Sequence, residues 1–355
     1  MAKSMKGVLF PGSKTSVVEE FEIPQPGVGE VLLEMRASGM CGSDLEYIYK
    51  TPREKRAEKV HGVQLDPRTI TGHEPSGVVV STGVGIRQLK AGDRVAVYHI
   101  NGCGFCKNCR QGWGISCTEP HTTYGFDRHG GNADYMVADE RDCIVLPRAV
   151  SFEAGAFAAC GAGTGFGVSK RLEVSGLDDY LIMGAGPVGL SAALFGKEMG
   201  ARIIVVDIND QRLDMAKSIG ANLILNPSRD DVEAEVKSFT AGEGVSAAVD
   251  ATANSQARVS MLKCCGIWAR AAFVGEGNET TFDVSPLITH KQLKLIGSWV
   301  YSMTTMMELV DLIGRRGIPL DRLLVTDRYS IEEAPEAFEK FEAGKTAGKG
   351  MFLWN

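Results

Sequence analysis

Tyr180-Leu181-Ile182-Met183 runs directly into Gly184-Ala185-Gly186-Pro187-Val188-Gly189. Leu190 to Met199, Gly200 and Arg202-Ile203-Ile204-Val205-Val206-Asp207 follow. The first four residues predict a short buried strand. Leu190 to Met199 predicts a helix that Gly200 stops, and Arg202 to Val206 predicts a second β-branched strand. Strand, glycine turn, helix, strand and acid together form the pattern that holds a dinucleotide. Gly184 permits the tight turn, Gly186 lets a pyrophosphate approach the backbone, and Gly189 lets helix and strand pack closely. Pro187 and Val188 open the helix, whose N-terminal N–H groups and dipole favour an anion. A lone G-x-G-x-x-G arises by chance; here the strand before it and Asp207, eighteen residues past Gly189, give it the required context. The Asp207 carboxylate can accept hydrogen bonds from a ribose diol and repels a 2′-phosphate, which favours NAD over NADP. Arg212, close by in sequence, pulls the other way.

Beyond this turn, further apolar runs alternate with helical segments. Strands are expected at 222–225, 247–250, 271–274 and 293–297, and helices at 212–219, 232–239 and 255–264. That alternation predicts an α/β Rossmann domain with a doubly wound parallel sheet. Val274 ends a strand on the side where ligands bind. The residues before about Leu146 read differently, as short alternating runs broken by Pro and Gly, and predict a barrel-like β domain.

Composition limits the partners. The chain has 355 residues, enough for two domains, and a net charge of −6, which gives no reason to expect nucleic acid. No apolar stretch approaches a membrane span, and the N-terminus lacks a signal core, so a cytoplasmic protein is expected. Nine cysteines cannot all pair, and clustered cysteines in such a setting point to metal. Cys103, Cys106, Cys109 and Cys117 follow C-x2-C-x2-C-x7-C within one glycine-rich loop, 103–117. Four thiolates so spaced can close around Zn²⁺ with no position left open, so this zinc would be structural. An iron–sulfur cluster is the rival, but its common runs are spaced differently. Cys41, Ser43 and Asp44 lie together in Gly39-Met40-Cys41-Gly42-Ser43-Asp44, and His73 and Glu74 follow after a long gap. Taken alone, they fit a buried thiol and a hydrogen-bonded imidazole as well as a metal site.

The segments 39–44, Gly72-His73-Glu74, Gly92-Asp93-Arg94-Val95, the four-cysteine loop and 184–207 occur in that order over nearly the whole chain. In this order they resemble the zinc-dependent medium-chain alcohol dehydrogenases. The resemblance implies a catalytic zinc held by Cys41, His73 and a third ligand, which Cys160 in Cys160-Gly161-Ala162-Gly163-Thr164 fits; Glu74 would be beside the metal or enter its sphere. It implies two Zn²⁺ per chain, a small-molecule alcohol substrate, Thr164 against the nicotinamide, Ser43 as the first proton acceptor, and a homodimer or homotetramer. Two features depart from the family. Glu46 stands where many members end a proton relay in histidine, and residues 47–69 are longer and basic (Lys50, Arg53, Lys55, Arg56, Lys59). That segment reads as a solvated loop or a lid, and its His61 is not expected to be a ligand. His99 falls at a position that lines the substrate pocket by resemblance, and Trp299 is a second wall candidate.

The expected division is a catalytic domain over 1–160, an NAD-binding domain over 161–297, and a return to the first domain over 298–355. The expected reaction moves a hydride between NAD and an alcohol, with Glu46, His99 and the basic segment leaning towards a polyol, sugar or other polar secondary alcohol. An aromatic or aliphatic alcohol is the alternative substrate. A zinc-free quinone reductase would lack the Cys41/His73/Cys160 set, and a non-catalytic NAD-binding protein would tolerate loss of Ser43 or a ligand; neither is lost here.

Overall fold

The computed structural model describes residues 4–52, 59–60, 63–64 and 66–354. Arg53, Lys55, Arg56 and His61 lie outside the described residues, and with them the question of a lid. Two compact units form: one runs to Gly163 and resumes at Ser302, the other spans Thr164–Tyr301. These junctions fall a few residues after the expected breaks at 160 and 297.

The chain opens with an antiparallel hairpin of β1 (Ser4–Gly12) and β2 (Thr15–Glu22). The sequence reads as one strand from Lys6 to Phe21. Ser13 and Lys14 break it, with φ of 54° and 59°, the left-handed pair that a tight hairpin turn needs. Neither residue type advertises that turn. β3 (Glu30–Gly39) follows, then the small pair β4 (Lys59–Val60) and β5 (Val63–Gln64). β6 (Glu74–Thr82), β7 (Arg94–Val97), β8 (Ile100–Asn101), β9 (Thr122–Thr123), β10 (Tyr135–Asp139) and β11 (Cys143–Val145) complete the first β region. The short helix α1 (Lys107–Arg110) lies in the cysteine loop, and α2 (Phe152–Ala158) is capped by Ser151, whose Oγ accepts from Ala154 N.

α3 (Gly161–Arg171) leads into the second unit, where β12 (Asp179–Met183), α4 (Pro187–Glu198), β13 (Arg202–Val206), α5 (Asp210–Ser218) and β14 (Leu223–Leu225) alternate. α6 (Val232–Phe239), β15 (Val245–Asp250), α7 (Ser255–Cys264), β16 (Cys265–Phe273) and β17 (Lys294–Gly297) finish it. The strands pair in parallel in the order β14-β13-β12-β15-β16-β17. In register, Met183 faces Val206 and Asp250, and Asp250 faces Phe273. The carboxyl ends of four strands are therefore level, with a switch point between β12 and β15, where this fold places ligands. Leu181, Ile204, Val236, Ala248, Met261 and Ala271 pack beneath as one core.

α8 (Met303–Arg316), α9 (Leu320–Leu324), β18 (Val325–Tyr329), α10 (Ala334–Glu342) and β19 (Lys349–Leu353) return to the first unit. β19 pairs with β3, and the seven-stranded sheet runs β11-β7-β6-β3-β19-β18 with β10 also on β3. α9 and β18 were not legible in the sequence. Phe10, Met40, Leu45, Ile48, Tyr49, Phe338 and Phe352 form a buried cluster. Each such side chain contributes about 1.5–3 kcal/mol, so the helical turn Asp44–Tyr49 is anchored on both sides of the residues that matter below. Among the described residues no helix is long and apolar enough to cross a membrane.

Candidate metal centres and cofactor edge

β3 and β6 are antiparallel neighbours with Gly39 opposite Glu74. Cys41 leaves the end of β3 and His73 precedes the start of β6, so two residues far apart in sequence emerge side by side. Cys160 joins them from the link between α2 and α3. The ligand atoms of Cys41, His73, Glu74 and Cys160 all lie within 4.8 Å of one another. The Cys41 and Cys160 sulfurs are 3.9 Å apart, too far for a disulfide. His73 Nδ1 meets Asp44 Oδ1 at 2.8 Å, and Asp44 Oδ2 accepts from Cys41 N at 2.9 Å. Asp44 thus fixes the imidazole so that Nε2 faces the sulfurs. Burial alone would lower the His73 pKa, but the Asp44 carboxylate and the Cys41 sulfur together outweigh it and the net shift is upward. Ser43 Oγ reaches Cys41 Sγ at 3.3 Å and His73 Nε2 at 3.4 Å.

Glu74 has two different oxygens. Oε1 pairs with Lys349 Nζ, both side chains being buried. Oε2 is buried and has no hydrogen-bond partner among the described residues. A buried orphan acceptor is costly unless something cationic meets it, and two sulfurs, an imidazole nitrogen and this oxygen form the donor set that zinc takes. The residues fit the metal. Gly39 is required at this spot: a Cβ there would overlap Glu74 Oε2 and lie 2.9 Å from Lys349 Cε. Lys349 escaped sequence reading, although a lysine opening an otherwise apolar strand, Gly350-Met351-Phe352-Leu353, was a signal for a buried partner.

His99 is buried, its ring centroid 5.1 Å from that of His73, with Phe126 5.2 Å from His73 on another side. Its Nδ1 meets Ala159 O at 2.8 Å. Burial, then the nearby His73, push its pKa down to about 3. The imidazole is neutral, with Nδ1–H donating to the carbonyl and Nε2 left as an acceptor. Glu46 is elsewhere: its side chain is exposed and paired with Lys50 one helical turn on, and no hydrogen bond joins it to Ser43.

Cys103, Cys106, Cys109 and Cys117 form the second cluster, again within 4.8 Å. Backbone N–H groups of Phe105 and Cys106 donate to Cys103 Sγ at 3.4 and 3.3 Å, and Cys109 N donates to Cys106 Sγ at 3.4 Å. Donors of this kind favour thiolates. The N–H groups of Cys109 and Thr118 bring Cys106 down to about 5. Burial pushes Cys109 the other way, to about 12; the four sulfurs converge, and among the described residues no further ligating side chain joins the cluster, which fits a closed zinc site.

In the second unit, Gly184 has φ +95°, and Gly186 has open space where a Cβ would be. A Cβ on Gly189 would overlap Gly184 O, so only glycine lets α4 start this close to β12. Pro187 is the first residue of α4, and Val188 follows half-buried. Asp207 is nearly buried; Oδ2 accepts from Ala185 N at 2.6 Å and Oδ1 from Asn209 N at 2.8 Å. The acid at the end of β13 therefore grips the glycine turn itself. Arg212 is on α5, its N–H bound to Asn209 Oδ1. Val274 donates its N–H to Asp250 O at 3.0 Å. Thr164 is nearly buried in α3, and Trp299 is half exposed after β17.

One unit thus carries two clusters of side chains that could hold a metal, and the other a dinucleotide-type glycine turn on a parallel sheet. A family model described as alcohol dehydrogenase GroES-like domain matches residues 27–148, and one described as zinc-binding dehydrogenase matches 187–315. The chain is 42% identical over 350 residues to an uncharacterized zinc-type alcohol dehydrogenase-like protein of Escherichia coli (strain K12), covering 97% of both chains. It is 30% identical to a sorbitol dehydrogenase of Bacillus subtilis (strain 168), covering 95% of this chain and 94% of that protein. A short chain alcohol dehydrogenase from E. coli CFT073, solved with NADH, superposes with a TM-score of 0.87 at 25% identity over 99% of this chain and 100% of that one. The chain belongs to the zinc-dependent medium-chain alcohol dehydrogenase family.

Proposed function

We propose that the protein oxidises a polar secondary alcohol, a polyol or a sugar, with NAD, using one catalytic and one structural zinc. The observation that carries the reading is the convergence of Cys41, His73 and Cys160 with the Ser43 hydroxyl beside them. Those three residues hold the catalytic metal, and the four-thiolate loop holds the other. A bound zinc lends Lewis acidity to a substrate hydroxyl, and a bound NAD accepts the hydride. Asp44 holds His73 in the ligating tautomer. Ser43 Oγ takes the hydroxyl proton and passes it to solvent, so alcohol and NAD become carbonyl, NADH and a proton. Glu46, exposed in the first turn of Asp44–Tyr49 and paired with Lys50, meets that proton only through water.

The polar preference rests on His99. A neutral buried imidazole with Nε2 as acceptor suits a second hydroxyl close to the reacting one. Relatives named sorbitol dehydrogenase and L-threonine 3-dehydrogenase, at 30% and 31% identity, act on polar alcohols by name and support the same class. NAD is preferred because Asp207 meets the ribose diol and repels a 2′-phosphate. The test is NADH formation by zinc-loaded protein across polyols, sugars, hydroxy amino acids and aliphatic and aromatic alcohols, repeated with NADP. Highest kcat/KM on a polar secondary alcohol with NAD is expected. Highest kcat/KM on an apolar primary alcohol would contradict the substrate class, and equal use of NADP the cofactor.

A further inference from the structure

Asp250 is the last residue of β15 and is fully buried. Its Oδ1 accepts from Thr252 N at 2.9 Å and Thr252 Oγ1 at 2.5 Å. Its Oδ2 accepts from Ala253 N at 3.3 Å and Arg258 Nε at 3.0 Å. Its carbonyl accepts from Val274 N and Gly275 N. One residue thereby ties the loop that leaves β15 to the loop that leaves β16.

Arg258, on α7 and also buried, completes the tie. Nη2 donates to Gly275 O at 2.6 Å, and Nη1 donates to Gly277 O at 3.1 Å, Asn278 O at 3.0 Å and Thr280 Oγ1 at 3.2 Å. The guanidinium lies over the Phe273 ring at 5.2 Å. A planar fork of fixed N–H groups is the side chain suited to gathering several carbonyls at once. The loop bends through two left-handed residues, Ala253 and Asn278, with φ of 58° and 57°, a conformation that Ala in particular adopts only at a cost. Asn278 Nδ2 also donates to Ala253 O at 2.8 Å. On its other side the Thr252 loop abuts the glycine turn, since a Cβ on Gly184 would lie 2.7 Å from Thr252 Cγ2.

Loops 251–254 and 275–280 leave the carboxyl ends of β15 and β16, across the switch point from Asp207. A dinucleotide lies across such a switch point, one mononucleotide on each side; the adenosine half belongs with Asp207 and the other half with these loops. We propose that Arg258, anchored by Asp250, is a positioning residue for the nicotinamide half of the cofactor: it holds the backbone of 275–280 in the shape that half binds. The inference rests on the NAD-binding reading above.

The test compares dissociation constants of NADH and of ADP-ribose for the full-length zinc-loaded protein, wild type, Arg258→Met and Arg258→Lys. ADP-ribose carries the adenosine half and both phosphates but no nicotinamide. In Arg258→Met, NADH is expected to weaken roughly tenfold or more, as a loop that must be ordered on binding costs affinity, while ADP-ribose stays within about twofold. Lysine keeps the charge against Asp250 but not the fork, so Arg258→Lys shows the same selective loss and carries the comparison if the methionine variant does not fold. Equal weakening of both ligands would make Arg258 merely structural and overturn the proposal, as would no change in NADH. Wild-type protein that fails to bind ADP-ribose would remove the cofactor site itself, a different failure from a wild type that binds both and variants that lose neither.

Discussion

Single residues in the first unit carry burdens that their neighbours make visible. Lys349 is one of the largest fully buried side chains, and its charge is there for Glu74. Removing one member of a buried pair costs about 3–5 kcal/mol because the other is left uncompensated. Lys349→Met should therefore lower stability by about that much in urea unfolding, and Lys349→Met with Glu74→Gln should recover part of it; additive losses would mean the pair is not coupled. Asp142 supplies a pH-dependent case outside the two ligand sets. Burial, despite donors from Asn101 and Tyr124, raises its pKa from 3.8 to about 7. A folded-state pKa above the unfolded one favours folding below the unfolded value and loses that contribution as pH rises through about 7. Wild-type stability should thus fall relative to Asp142→Asn between pH 5 and pH 8, whatever the offset between them; parallel curves would show that Asp142 ionises normally. Ser43→Ala should lower turnover about 10²–10⁴-fold, the usual worth of a placed proton acceptor, with zinc content unchanged; a rate within about twofold of wild type would remove Ser43 from the proton path.

At the scale of elements, the cysteine loop and the Cys160 link make a pair of contrasting cases. Cys109 lies on α1 in a loop with half-buried sulfurs and little core beneath it. On the proposed two-zinc reading, its order depends on metal. Cys109→Ser should lower the melting temperature and expose 103–117 to limited proteolysis. Cys160→Ser should leave both nearly unchanged and lose turnover. Proteolysis that treats the two variants alike would contradict the division of roles. The sequence made this loop legible because its four ligands are local, and it made β12-turn-α4-β13 legible because each part is chemically marked. It hid β1 and β2 inside one apparent strand, since Ser13 and Lys14 take a conformation their types do not announce. It hid the Arg258 fork for another reason: a lone arginine in a helix reads as solvated, and only the return of 275–280 shows what it holds.

For the whole molecule, the same difference between local and distant information explains what could be read. The Rossmann order follows from alternation, while the ligand set of Cys41, His73 and Cys160 is suggested only through resemblance, because its members are spread over more than a hundred residues. The fold adds what spacing could not: Asp44 behind His73, Lys349 behind Glu74, and Glu46 turned to the surface. On the proposed function, turnover belongs to one of two zinc sites. The direct measurement is zinc per chain followed together with NADH formation while a chelator removes metal stepwise. Two zinc ions per chain are expected at the start, with a rate that falls in proportion to one of them and reaches zero while the four-cysteine zinc remains. Full turnover in zinc-free protein, or a rate that follows loss of zinc from 103–117 instead, would contradict this.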